Sequence, residues 1–384
     1  LTGQLSTSAR IVTVSETSSR DEMRAMLLSS ADRLFSDLCT KETVNRSEAG
    51  EWQDALWRSC VDNGFTAAAL PEAEGGAGMA LSDALLLGRA LGRHAVPLPV
   101  GETVVAGWLL NQAGLPVPEG PLALAPATPG SQVTLAQLGS GRWSLSAKLR
   151  TVPWGHLAKG VVIVAEGKDG PMLVRVAADD LHTEPTTSLA GEPRVRMALA
   201  PELTSESIAP LPGGWGADAA LVLGAALRVQ QMAGACSAAR DLAVRYTQDR
   251  IAFGQPLAKL PAVQQNLAVM AGHAAAAGVV ADMVIEALDG SPSDLALTVG
   301  LAKVRAGEAA AAVASMAHQS HGAMGFTFEH VLHHFTRRLW SWRDEFGSEA
   351  WWASRAGSEL IAGGDRQYWA NVSRAAQLEG ARHG

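Results

Sequence analysis

The last part of this 384-residue chain carries three consecutive apolar, alanine-rich stretches, Ala217–Asp249, Ala262–Leu288 and Pro292–Gln319. Each is long enough for a bundle helix. Helices of that length, separated by short breaks, hide their apolar faces against one another, and this demand constrains the fold more than any other feature. The third stretch has a start signal. Ser291 suits the N-cap, Pro292 the first helical position, and Asp294 the acid of a capping box. The Gly-rich break Gly322–Gly325 ends it.

The beginning of the chain is also helical in pattern. Leu27, Leu28, Ala31, Leu34, Phe35 and Leu38 recur at roughly i, i+3, i+4 and i+7, one buried face of an amphipathic helix. A second helix is expected around Glu51–Asn63 with Gly64 at its end, a loop at Pro71–Gly78, and another helix from Leu81 to about Leu91. The first twenty residues, polar and rich in Ser and Thr, read as a loose arm. They carry no basic-then-apolar signal pattern, and no run reaches 18 uninterrupted apolar residues. A soluble, cytoplasmic protein without membrane contact is the expectation.

Between Pro118 and Pro212 the helical period disappears. Short apolar runs, Val133–Leu138, Arg142–Leu149, Gly160–Ala165 and Pro171–Ala177, alternate with turns rich in Pro, Gly and Thr, which reads as a small β domain. The expected fold class is α+β, with an N-terminal helical domain (1–117), a middle β domain (118–212) and a C-terminal helical bundle (213–384). No internal repeat of fixed period is visible.

Composition removes several function classes. At 47% hydrophobic and 18% charged residues, global disorder is excluded. A net charge of -7 argues against nucleic acid as a partner. Cys39, Cys60 and Cys236 are too scattered for a disulfide framework or a local CxxC metal site. Cys236, in an Ala-rich helix, reads as a small core residue rather than a nucleophile. There is no P-loop, GxSxG elbow or GxGxxG after a strand.

Two clusters of polar and small residues interrupt the C-terminal helices. The first runs Tyr246-Thr-Gln-Asp-Arg250-Ile-Ala-Phe253-Gly254-Gln255-Pro256, with Gln264 just beyond. An Arg at such a corner holds a phosphate bidentately, or simply sits well at a surface helix C-terminus. The second runs from His318 to His330 (HQSHGAMGFTFEH). Its small residues let backbone N–H groups approach a ligand closely; the alternative is a plain loop between helices. Three His in this stretch raise the question of a metal, but HExxH and similar spacings are missing, so no metal site is expected.

Together the two clusters resemble the acyl-CoA dehydrogenase family. Arg250–Pro256 (RxxFGQP) looks like the family's flavin-contacting turn, and Gln319–His330 like its second flavin-binding stretch. The helix–β–helix order covers the whole chain and agrees. The resemblance implies FAD as cofactor. It implies that Arg250 and Phe253 contact the pyrophosphate and adenosine from one subunit, while Gln319, Gly322 and Ala323 contact the same FAD from its neighbour. Pro261 stands where the family usually has a Gln, and Gln264 remains nearby. An FAD shared between chains implies at least a dimer, usually a dimer of dimers. The implied partners are an acyl-CoA substrate and an electron-transfer flavoprotein.

The chain departs from the family's pattern in three places. Of the loop beside the flavin ring, Ala125–Gln132 keeps only Pro129, Gly130 and Ser131. Val152-Pro153-Trp154-Gly155 replaces a second ring-contacting segment. The third departure concerns the base. The chemistry needs a carboxylate to take a proton α to the thioester carbonyl while hydride leaves the β carbon. Gapless counting puts Phe346 on the family's Glu. Glu345, one residue earlier, is therefore the expected base, its pKa raised in a dry site, with Asp344 as fallback. A second family position for the base falls on Gly224, in a run without acids. The competing reading makes Asp344 and Glu345 helix-end charges paired with Arg337, Arg338 or Arg343. Trp340, Trp342, Trp351 and Trp352 are expected to pack between helices or subunits, or else to wall a large acyl group.

The expected function is FAD-dependent α,β-dehydrogenation of an acyl-CoA thioester in fatty acid or steroid catabolism, by a homo-oligomer or as one subunit of an α2β2 heteromer. The alternatives are a structural subunit completing a partner's FAD site, and a flavin monooxygenase on the same scaffold.

Overall fold

The computed structural model describes residues 14–362, except 127, 129 and 140. Residues 1–13 of the expected arm lie outside the described residues. From Val14 the chain is already helical, which shortens that arm.

Helix α1 (Val14–Leu38) buries Ala31 and Phe35, with Leu27, Leu28 and Leu34 half-buried beside them; Leu38, expected on the same face, is exposed at the helix end. It is followed by α2 (Lys41–Glu48), where the Thr40 hydroxyl accepts the Thr43 N–H at 3.3 Å, and by α3 (Asp54–Asp62). Gly64 then turns the chain at φ +71°. The helix expected from Leu81 is broken at Leu86 into α4 (Leu81–Leu85) and α5 (Leu87–Arg93). Helix α6 (Val100–Gln112) had no periodic signal because it is buried almost all round.

The β region forms two stacked sheets from β1 (Leu122–Ala125), β2 (Gln132–Gly139), β3 (Arg142–Pro153), β4 (Gly160–Gly167), β5 (Gly170–Ala177), β6 (Thr183–Thr187), β7 (Pro193–Leu199), β8 (Glu202–Leu203) and β9 (Ile208–Pro210). One sheet has the order β1-β4-β5-β9, with β1 and β4 parallel; the other has β2-β3-β7-β6, with β8 beside β3. Val161, Ile163, Val174 and Val176 meet Leu145, Leu149, Val195 and Met197 between the sheets. Val162, Val164 and Leu173 face the helices instead. Strand β4 is thus buried on both faces, which is why its sequence is a continuous apolar run.

The C-terminal part is α7 (Ala219–Asp249), a small hairpin of β10 (Ile251–Ala252) and β11 (Gln255–Pro256), then α8 (Pro261–Ala287), α9 (Pro292–His321), α10 (Leu332–Asp344) and α11 (Glu349–Ala362). The Ser291 hydroxyl accepts the Asp294 N–H at 3.3 Å, the cap read from sequence. Helix α7 is the axis of the molecule, with α5, α8, α9 and α10 packed around it. Its crossing with α5 requires glycine on both sides: a Cβ on Gly92 would lie 1.9 Å from the Gln231 carbonyl oxygen, and one on Gly234 2.0 Å from that of Arg89. By length and composition α7 and α8 could each cross a membrane; in this fold the apolar window of α7 is wholly buried and that of α8 one-third buried. Burial pushes the Cys236 thiol up to about 12, in keeping with a core residue.

Candidate active site

A cleft of about 390 Å³ opens where the β domain meets the C-terminal bundle. Pro126 and Thr128 after β1, Thr151 and Pro153 on β3, and Arg194 on β7 form one wall. The turn Asp344–Ser348 between α10 and α11, with Trp351, forms the other. Helix α10 stops because Glu345 is extended (φ −74°, ψ 142°), and Phe346 and Gly347 follow at φ +53° and +95°. Helix α11 restarts as the Ser348 carbonyl accepts the Trp352 N–H at 3.0 Å. The Gly130-Ser131 remnant forms a tight turn, its Ser131 N–H donating to the Thr128 carbonyl at 2.8 Å. Pro129 lies outside the described residues.

Glu345 lines this cleft but is not free. Arg194 donates to its Oε1, and the Nε of Arg228 donates to its Oε2 at 2.6 Å. Arg228, on α7, also reaches the Oε1 of Glu102 on α6 at 2.6 Å. All four side chains are buried or nearly so, and together they tie the N-terminal helices, the β domain and the bundle. Both oxygens of Glu345 are thus committed to guanidinium ions, not held in the dry, cation-free setting expected of a base. The competing pairs also differ from expectation. Arg337 and Arg338 bond to Glu48, and Arg343 to Glu349. Asp344 is exposed at the cleft's rim.

The two family positions for a base touch each other. The Phe346 ring lies against Gly224 so closely that a Cβ there would be 2.1 Å from the ring. The Arg228 guanidinium sits 5.2 Å from the same ring centroid. The Trp cluster divides: Trp342 and Trp352 are buried in the core, while Trp351 walls the cleft.

The second region is the corner after α7. Phe253 and Gly254 both have positive φ, which closes the two-residue hairpin between β10 and β11. Phe253 is left 88% exposed at its tip. Among the described residues, no hydrogen-bond or ion-pair partner engages the Arg250 side chain. It borders a shallow hollow with Tyr246 and His330. Gln264 is used differently from expectation: its amide donates to the Ala258 carbonyl at 3.0 Å and pins the chain before α8.

Gln319, Gly322 and Ala323 are exposed where α9 ends, with Gly322 at φ +59°. The histidines behind them form the support. The His318 Nε2 bonds the Thr336 hydroxyl at 2.9 Å, and its ring stacks on Phe326 at 4.4 Å. Tyr246 stacks on His321 at 4.5 Å, which joins the end of α7 to the end of α9. Burial, with His321 and His333 nearby, pushes His330 down to about 4. Glu48, His333 and His334 place ligand atoms within 4.8 Å of one another. That carboxylate is already held by His334, Arg337 and Arg338. Burial alone would raise it, and His334 with Arg338 overcome that and hold it near 2. Two guanidinium ions on one carboxylate repel a metal ion.

The corner and the cleft do not converge within one chain. Lys303, beneath the cleft, and Gln319 are about 24 Å apart along α9 at 1.5 Å per residue. The residues sequence reasoning missed are Glu102, Arg194, Arg228 and Lys303. Arg228 did leave a signal, as the lone cation between Ala219 and Ala239 in an apolar helical stretch.

Two family models match the chain: "Acyl-CoA dehydrogenase, C-terminal domain" over residues 214–349 and "Acyl-CoA dehydrogenase, N-terminal domain" over residues 21–116. The acyl-CoA dehydrogenase IpdE2 of Mycobacterium tuberculosis is 30% identical over 323 residues, 83% of this chain and 91% of the relative. Among solved structures, the Tcur3481-Tcur3483 steroid ACAD G363A variant superposes with a TM-score of 0.78 at 26% identity, covering 90% of this chain and 99% of the other. The ChsE4-ChsE5 complex from Mycobacterium tuberculosis gives 0.79 at 22% identity, covering 88% and 97%, which is a likeness of fold.

Proposed function

Because this chain belongs to the acyl-CoA dehydrogenase family, we propose that it is one subunit of a heteromeric, FAD-dependent dehydrogenase whose proton-abstracting carboxylate sits in a second chain. The observation that carries this reading is the filled base position: Phe346 is seated on Gly224, and Glu345 is clamped by Arg194 and Arg228. A carboxylate with both oxygens on guanidinium ions is a poor proton acceptor. The reaction is α,β-dehydrogenation of an acyl-CoA thioester. The steroid enzyme among the structural relatives, and the Trp351 wall of the cleft, support a bulky, ring-bearing acyl group. An electron-transfer flavoprotein is the proposed electron acceptor.

The residues present fit FAD at the corner. An unpartnered Arg250 suits a pyrophosphate, the exposed Phe253 face suits an adenosine, and the exposed end of α9 offers Gln319, Gly322 and Ala323 to a cofactor held by another chain. When bound, FAD supplies the hydride acceptor for the thioester's β carbon. The chain's own contribution is to bind and orient: Arg250 neutralises phosphate charge, while Pro153 and Trp351 exclude water from the cleft.

Tagged protein purified from its native cells tests the reading. It should emerge in 1:1 ratio with a second acyl-CoA dehydrogenase chain, with fewer than one FAD per chain when expressed alone. A homo-oligomer carrying one FAD per chain, and bleached by an acyl-CoA without oxygen, would overturn it. The exposure of Asp344 at the rim favours a second reading, in which Asp344 is the base of a homomeric enzyme. In that case Asp344→Asn would slow flavin reduction by on the order of 10²-fold.

A further inference from the structure

Lys303 lies midway along α9 and is fully buried. A buried ammonium without a directly paired carboxylate destabilises a fold. The hydrogen bonds of Lys303 go instead to two backbone carbonyls, Arg343 at 2.6 Å and Gly347 at 2.9 Å. These carbonyls bracket Asp344, Glu345 and Phe346, the heart of the cleft-lining turn. Phe346 there is left-handed at φ +53°, a conformation disfavoured for a side chain of that size. The carbonyl of Phe346 itself accepts the Trp352 Nε1–H at 2.9 Å. Helices α9 and α11 therefore hold the turn by its carbonyls, while other atoms of the same turn face the cleft.

We propose that Lys303 is a positioning residue: its buried amine holds the Asp344–Ser348 turn in its left-handed form, and the shape of the cleft follows the charge on that amine. The charged groups around it are Arg228 on α7, Arg343 and Asp344 at the end of α10, and Glu349 on α11. Burial, with Arg228 adding to it, pushes the amine down to about 7. Protonated, it gives charge-assisted bonds to both carbonyls; neutral, it gives weaker ones. The turn is accordingly tightest below about pH 7 and loosens above it. Global stability runs the other way. The unfolded amine keeps its proton to about pH 10.4, so between roughly 7 and 10.4 the unfolded chain binds more protons and stability rises with pH.

Hydrogen exchange read by mass spectrometry on the full chain, from pH 6 to 8.5 and corrected for intrinsic rates, tests this. Exchange in the turn peptide should rise about tenfold in the wild type across that range. Lys303→Met should exchange fast at every pH, and Lys303→Arg, which stays charged, should exchange slowly at every pH. Denaturant unfolding should show Lys303→Met no less stable than wild type at pH 6, because the buried charge is gone. A turn in Lys303→Met that stays protected, with the wild-type pH trend, would overturn the proposal; if Lys303→Arg fails to fold, this comparison alone decides. The proposal rests on the functional reading only for a further measurement. The visible spectrum of bound flavin should follow the same pH midpoint in wild type and lose it in Lys303→Met. Exchange that follows pH while the flavin spectrum does not would uphold Lys303 and show that the flavin lies away from this turn.

Discussion

The cleft and the corner after α7 treat their polar groups in opposite ways. In the cleft, Glu345, Arg194, Arg228 and Glu102 partner one another, and Lys303 is satisfied by the turn it supports. At the corner, Arg250 has no side-chain partner among the described residues and Phe253 projects into solvent. A region that completes its own interactions is built for shape and stability. A region that leaves a guanidinium and an aromatic ring open has room for something else; under the proposed function that is a dinucleotide and a neighbouring chain. This contrast is the physical content of the proposed division of labour between subunits.

The largest effect should come from breaking the self-completed region. Arg228→Met leaves Glu102 and Glu345 buried with lost partners and should cost about 3–5 kcal/mol of stability, read by denaturant unfolding. A cost below about 1 kcal/mol would mean that water reaches the cluster and that it is no lock.

Arg250→Ala probes the open region and should behave in the reverse sense. FAD affinity should fall by about 2–3 kcal/mol in a fluorescence titration, while the apoprotein unfolds as before. Unchanged affinity removes Arg250 from the cofactor site.

Gly224→Ala drives a methyl group into the Phe346 ring and should destabilise by about 1–3 kcal/mol. A neutral outcome would show that Phe346 swings aside and that the base position is more open than its packing indicates.

Smaller still is the expected change on removing carboxylates from the cleft. In the assembled enzyme, Asp344→Asn and Glu345→Gln should each leave the rate of flavin reduction by thioester within about threefold. A drop of 10²-fold in either returns the base to this chain.

The mildest test is pH at the corner. His330, pushed down to about 4, binds its proton more weakly folded than unfolded. The unfolded chain therefore binds more protons between about pH 4 and 6.5, so stability falls as pH falls through that window. His330→Gln should flatten the acid limb of a thermal-melt series. An unaltered limb assigns it to the neighbouring His318, His321 and His333, which burial also lowers.

Much of the fold was legible because its signals are local. The period of α1, the Ser291 cap of α9 and the turn-bounded runs of β2 to β5 each arise within a few residues. The corner was legible for the same reason: an Arg, a positive-φ Phe-Gly pair and a helix end are adjacent in sequence. The losses have one cause as well. Helix α6 and strand β1 are buried all round and carry no alternation, and β6 to β9 are short or rich in polar residues.

The residues alone settled the helix–β–helix order and the family, since both depend on patterns that are local in sequence. The fate of Glu345 was a different kind of question. Its partners Arg194 and Arg228 lie 151 and 117 residues away, and Arg228 is shared with Glu102 a further 126 residues back. Whether a carboxylate is a base or one link in an ion-pair chain depends on which charges packing brings within about 4 Å, because Coulomb energy and desolvation both change steeply over that distance. Only the tertiary structure brings α6, α7, β7 and the Phe346 turn to one point.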